Sequence, residues 1–150
     1  MGNKTIVIAS DHAGLELKRA VTGPVEDRGY QVIDLGTDTS DSVDYPDFAD
    51  KLAAAMKDGV ADRGILICGT GIGISIAANR HPHIRAALCH NTTDARLSRA
   101  HNDANVIAFG ARTMGVEVVL ECVSAFLETA FDGGRHARRV GKLTPDIQDS

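Results

Sequence analysis

The segment GILICGTGIGISIAAN, residues 64–79, decides how this chain folds. Ile65-Leu66-Ile67-Cys68 is a short, continuous apolar run of the kind that forms a buried strand. Gly69, Gly71 and Gly73 then alternate with Thr70 and Ile72, and a helix of small residues starts at Ile74 and runs to Asn79. A strand, a glycine loop and a helix in that order set a thiol beside backbone N–H groups that have no partner. A thiol can remove a proton, and aligned N–H groups can hold the oxyanion that results.

The same alternation extends in both directions. Thr5–Ala9 reads as a strand, followed by a helix over Leu15–Glu26 that Pro24 weakens. Gln31–Leu35 is a second strand, stopped by Gly36. Asp47–Lys57 carries Phe48, Leu52 and Met56 on one helical face and closes at Gly59. Beyond the central segment, Arg85–Cys89 is the fourth strand, and Thr92–Ala100 a helix with Thr92 or Thr93 as its cap. Val106–Phe109 is the fifth strand. Val116–Phe131 is a helix apolar on most faces and so expected to be well buried. Gly133-Gly134 breaks it, and a basic helical tail covers Arg135–Val140. Five strands alternating with helices predict an α/β protein with one domain over residues 1–150. The expected form is a Rossmann-like three-layer α/β/α sandwich around a five-stranded parallel sheet. Ligands of such sheets bind beyond the carboxyl ends of the strands. Those ends carry Asp11 and His12, then Cys68, His90, and Gly110 to Arg112.

Composition narrows the function. Of the 150 residues 43% are hydrophobic and 24% charged, as in an ordinary soluble domain. Trp is absent, so Ile, Leu, Val and Ala build the core. The net charge of −4 argues against a nucleic-acid partner and confines any anion site to local cations. Cys68, Cys89 and Cys122 are odd in number and widely spaced, with no metal-ligand spacing. Reduced thiols suit a cytoplasmic location. No segment has the pattern of a signal peptide or the length to span a bilayer, and MGNKTI lacks the Ser or Thr of a myristoylation signal.

The glycine loop is not a known nucleotide loop. A P-loop needs Gly-Lys-Ser/Thr, and a dinucleotide fingerprint needs G-x-G-x-x-G after the first strand. What remains is an anion-binding nest at a helix amino terminus. Glycine loops also serve as plain tight turns, and a cysteine at a strand end is often a small core residue. The two together favour a reactive thiol, since a helix amino terminus promotes thiol ionisation. Cys89 and Cys122 lack such surroundings and are expected in the core. Asp11-His12 suits either a helix cap or a ligand contact. His101, in Arg99-Ala100-His101-Asn102-Asp103, can move protons near neutrality or sit in a surface turn. Arg112, Arg135, Arg138 and Arg139 are clustered cations, and Arg135 and Arg139 share a helix face. Two guanidinium forks on one face suit phosphate, and a solvated basic tail is the other reading. His81 and His83 are expected at the surface.

Taken together these residues resemble the type B ribose-5-phosphate isomerases, a family grouped with the galactose-6-phosphate and allose-6-phosphate isomerases. The resemblance runs through SDHAG (10–14), DYP (44–46), ILICGTGIGISIAAN (65–79), LSRAHNDANVIAFGAR (97–112) and GGRHARRV (133–140). It implies Cys68 as the base that moves a proton between C1 and C2. It implies Thr70 and the amides of Gly69, Gly71 and Gly73 as the anion hole for a cis-enediolate. It implies His101 as the group that opens the sugar ring. Asp11, Tyr45 and Asn102 would line the sugar, and His12, Arg112, Arg135 and Arg139 would hold the phosphate. Some members use Ser with a later Glu as base. Here Cys68 is present and Ile74 and Ser75 follow the loop, so the chain resembles the cysteine type.

The resemblance further implies a homodimer or homotetramer with sites built from two subunits, and a role in the pentose phosphate pathway. The expected enzyme is a metal-independent aldose–ketose isomerase of ribose 5-phosphate and ribulose 5-phosphate, with no cofactor and no metal. An isomerase of allose 6-phosphate or galactose 6-phosphate, and a non-catalytic sugar-phosphate-binding subunit, are the alternatives. A redox role for Cys68 lacks a resolving cysteine nearby in sequence.

Overall fold

The computed structural model describes residues 3–144. Five strands form one all-parallel sheet: β1 (Thr5–Ser10), β2 (Gln31–Asp34), β3 (Arg63–Cys68), β4 (Ala86–Leu88) and β5 (Val106–Gly110). Their order is β2-β1-β3-β5-β4. Six α-helices accompany them: α1 (Leu15–Asp27), α2 (Tyr45–Lys57), α3 (Ile72–Asn79), α4 (Thr92–Ala100), α5 (Val116–Glu128) and α6 (Arg135–Gly141). No helix among the described residues is long and apolar enough to cross a membrane.

Strand alternation divides the core into two layers. Ile6, Ile8, Ile65, Ile67, Ile107 and Phe109 face α1, α4 and α5. Val7, Ala9, Leu66, Cys68, Val106 and Ala108 face α2 and α3. The expected three-layer sandwich is thus present. Cys89 and Cys122 are buried in the first layer, as expected. The ammonium of Lys18, on α1, is fully buried. It is held by Asp34 at 2.7 Å and by the Thr37 carbonyl, which ties α1 to the segment after β2.

Element ends differ from the sequence reading in instructive ways. α2 begins at Tyr45, two residues early, because Pro46 fits the first turn of a helix. α3 begins at Ile72, and β4 keeps only Ala86–Leu88 of the expected run. α1 continues through Pro24 to Asp27. The cap of α4 is Asn91 rather than Thr92 or Thr93. Its Oδ1 accepts from Asp94 N at 2.8 Å, the contact a cap residue makes with the third helical residue.

α5 stops at Glu128, short of Phe131. The Thr129 carbonyl is taken by buried Arg99 (3.3 Å), and Asp132 N donates to Ala100 O (3.0 Å). Both contacts draw the chain away toward the end of α4. Nor is α5 buried all round. Val119, Cys122, Val123 and Phe126 face the core, while Val116 and Val118 are exposed. His81 and His83 are half-buried, not free at the surface. Their Nε2 atoms meet Asp50 Oδ1 (2.7 Å) and the Ala53 carbonyl (2.8 Å), fixing the loop before β4 onto α2.

Candidate active site

The carboxyl ends of β1, β3 and β5 meet at one edge of the sheet, where Cys68 pairs in register with Gly110. Cys68 is buried, and its Sγ accepts a hydrogen bond from Gly71 N at 3.2 Å. The sulfur therefore faces the glycine loop. Gly71 has φ of +77°, and a Cβ there would lie 2.6 Å from Leu88 Cδ1 and 2.8 Å from the Phe109 carbonyl carbon, so only glycine fits. Thr70 Oγ1 takes the Ile72 amide at 3.2 Å. The first helical bond of α3 runs from Ser75 N to Gly71 O. The amides of Gly73 and Ile74 precede that bond, and among the described residues they make none of their own. Two donors at a helix amino terminus thus follow the Gly71 amide that meets the thiol.

The neighbouring positions converge on this loop. Asp11 N donates to Ile67 O (3.2 Å) beside the β3 end, and Asp11 Oδ1 caps the turn at Gly14 N (3.1 Å). The cap reading of Asp11 therefore holds, while its residue still sits next to the loop. His12 Nδ1 accepts from Val43 N at 3.1 Å. This bond assigns the imidazole proton to Nε2 and leaves that nitrogen as a donor. Tyr45 lies over the loop, so close that a Cβ on Gly73 would meet its ring at 2.5 Å. Arg112 donates its amide to Gly69 O (2.8 Å), and a Cβ on Gly69 would lie 3.1 Å from its Nη1. Asp11, His12, Tyr45, Cys68, Gly69, Thr70, Gly71, Gly73 and Arg112 are thus one cluster.

His101 and Asn102 are not in it. α4 leaves the carboxyl edge and returns the chain to the amino edge, where β5 starts at Val106. The five residues of β5 separate the two edges by about 16 Å. Asn102 lines a cleft with Asn79, Arg80 and Leu143, at the far end of α3 from Gly73. Arg99 and Arg85 fix this corner. Arg99 reaches Asp103 Oδ1 (2.9 Å) and Ala104 O (2.7 Å), and Arg85 Nε reaches Asp103 O (2.8 Å). Asp103 itself has φ of +47°, the left-handed turn that presents His101 and Asn102.

The His101 ring stacks on His136, with centroids 4.2 Å apart and planes 10° from parallel. His136 belongs to α6, the helix of exposed Arg135 and Arg139. Loss of hydration, then the charges of His101, Arg135 and Arg139, hold His136 below the ordinary histidine value. In the sequence His136 sits among Arg135, Arg138 and Arg139, a pattern that signals charge and gives no local sign of a partner for the imidazole. His90 is exposed, and its amide donates to Asp94 Oδ2 (3.4 Å) at the start of α4.

A family model described as Ribose/Galactose Isomerase matches residues 6–143. The chain is 48% identical over 141 residues to ribose-5-phosphate isomerase B of Escherichia coli strain K12, covering 94% of this chain and 95% of that one. It is 45% identical over 140 residues to D-erythrulose-4-phosphate isomerase of Pectobacterium atrosepticum, covering 93% and 92%. Among solved structures, ribose-5-phosphate isomerase B of Clostridium thermocellum superposes with a TM-score of 0.91 at 56% identity, over 93% of this chain and 95% of that one.

Proposed function

The chain belongs to the ribose/galactose isomerase family, and on that premise we propose that it interconverts ribose 5-phosphate and ribulose 5-phosphate with Cys68 as the base. The observation that carries this reading is the Cys68 sulfur, turned toward the glycine loop, whose following amides at Gly73 and Ile74 have no partner among the described residues. His101 would first open the furanose by proton transfer at the ring oxygen. Cys68 thiolate would then take the C2 proton. The electron pair moves into the C1–C2 bond and the carbonyl oxygen O1 becomes the oxyanion. Thr70 and the loop amides donate to that charge, as an oxyanion hole does. The O2 proton passes to O1, Cys68 returns its proton to C1, and the ketone forms at C2.

His12 through Nε2, with Arg112, would hold the phosphate from the same chain as Cys68. His101, Asn102, Arg135 and Arg139 stand at the opposite edge, so one chain supplies only half of the machinery. We therefore propose a homodimer in which each site joins the Cys68 edge of one protomer to the His101 corner of its partner. Ile72 and Ile76 support this. They are 51% and 63% exposed on one face of α3, apolar surface of the kind that subunit contacts cover.

The Pectobacterium relative bears the name of an isomerase of a four-carbon sugar phosphate, so chain length is the property to vary in the test. The assay follows ketose formation from four-, five- and six-carbon aldose phosphates, with and without a chelator. Highest kcat/KM on ribose 5-phosphate, unchanged by chelator, is expected. Preference for a six-carbon substrate would move the assignment to the allose or galactose branch.

A further inference from the structure

We infer that His101, Asp132 and His136 form an inhibitory site for a borderline divalent transition ion of the zinc class. One ligand atom from each of the three lies within 4.8 Å of the others. Tetrahedral zinc, with bonds of about 2.0–2.1 Å, needs its ligand atoms about 3.3 Å apart, so binding would turn the His101 and His136 rings out of their stack until their lone pairs converge. The backbone already holds the three together. Asp132 N is bonded to Ala100 O, the residue before His101, and His136 N to Gly133 O at 3.0 Å. Two imidazoles and one carboxylate leave a fourth position open to water.

The chemistry of the set selects the ion. Two imidazole nitrogens are donors of the kind that borderline transition ions take. Arg135 and Arg139 nearby oppose a cation held by charge alone, as magnesium or calcium would be. An ion held through nitrogen donor bonds, such as zinc or cobalt, meets that repulsion with stronger ligation. The consequence rests on the proposed role of His101. A ligated imidazole has no lone pair to move a proton, so the ion would block ring opening while leaving Cys68 untouched.

The test uses the full chain, stripped by chelator, with cobalt as an optical probe and zinc as competitor and inhibitor. One cobalt per chain should give a visible d–d band that zinc displaces. His136→Ala and Asp132→Asn should each weaken cobalt binding by at least about 10-fold, the loss that even an outer partner of a metal site brings. Both variants should also resist zinc inhibition measured on ribose 5-phosphate. Absence of the band, or a band unchanged in both variants, overturns the site. Zinc inhibition that persists in both places the inhibitory ion elsewhere, with Cys68 the obvious thiol, and overturns the inference. Failure of the isomerase reading looks different: the metal-free chain would turn over no sugar phosphate, while the cobalt titration still reports on the site.

Discussion

Three thiols of one chemistry meet two surroundings. Cys68 faces an amide at the mouth of the glycine loop, whereas Cys89 and Cys122 sit in the core. Replacing Cys68 by Ala should lower turnover by at least about 10²-fold, the floor for a lost general base, while substrate still binds. Isothermal titration separates the two effects, and full turnover in the variant would remove the sulfur from the reaction. Burial, then the neighbouring Cys122 and Asp94, pushes the Cys89 thiol up to about 12. The folded chain keeps that proton where the unfolded chain loses it. Its stabilising contribution is full below the ordinary thiol range near 8.5 and is lost as pH climbs from there through about 12. Melting temperature should therefore fall on the alkaline side, and Cys89→Ala should flatten the fall; parallel curves would contradict this. His101→Asn should impair ribose 5-phosphate far more than erythrose 4-phosphate. The four-carbon aldose carries its phosphate on the oxygen that would close a furanose, so it needs no ring opening. Equal losses on both substrates would assign His101 a different task.

At the scale of the element, the β3–loop–α3 unit is where local geometry and chemistry coincide. Gly73 leaves room for the Tyr45 ring, and a methyl there would sit 2.5 Å from its Cζ. Gly73→Ala should displace the loop or the ring and reduce kcat by roughly 10²-fold, as misplacement of about 1 Å does. Adding Tyr45→Ala should recover melting temperature without recovering KM. A Gly73→Ala enzyme of unaltered stability and rate would show that the ring yields freely. This unit was legible because each part has a short-range signature: an apolar run, alternating glycines, small helical residues. The cap of α4 was less so, since Asn91, Thr92 and Thr93 are all competent caps and only the register of Asp94 N decides among them. The end of α5 was hidden for another reason. Arg99 and Ala100, some thirty residues earlier, claim the groups at Thr129 and Asp132, and no local pattern announces so distant a contact.

At the scale of the molecule, the parallel sheet sends Cys68 and His101 to opposite edges. Strand alternation made the sheet readable, and the chain reversal through α4 follows from it. The pairing of His101 with His136 does not, because it joins α4 to α6 through a turn set by Asp103. Two inactive variants provide the test of a shared site. Cys68→Ala and His101→Asn protomers, unfolded and refolded together in equal amounts, should regain about a quarter of wild-type activity. Half the dimers are then mixed, and each mixed dimer holds one intact pair. No recovery would mean that both residues act within a single chain. The chain has no Trp and only two Tyr, one of which, Tyr45, overhangs the glycine loop while Tyr30 packs near Lys4. With no indole to drain its emission, Tyr45 is an intrinsic fluorophore seated at the loop. In a Tyr30→Phe background its intensity would record the arrival of a sugar phosphate directly, without a label or a coupled enzyme.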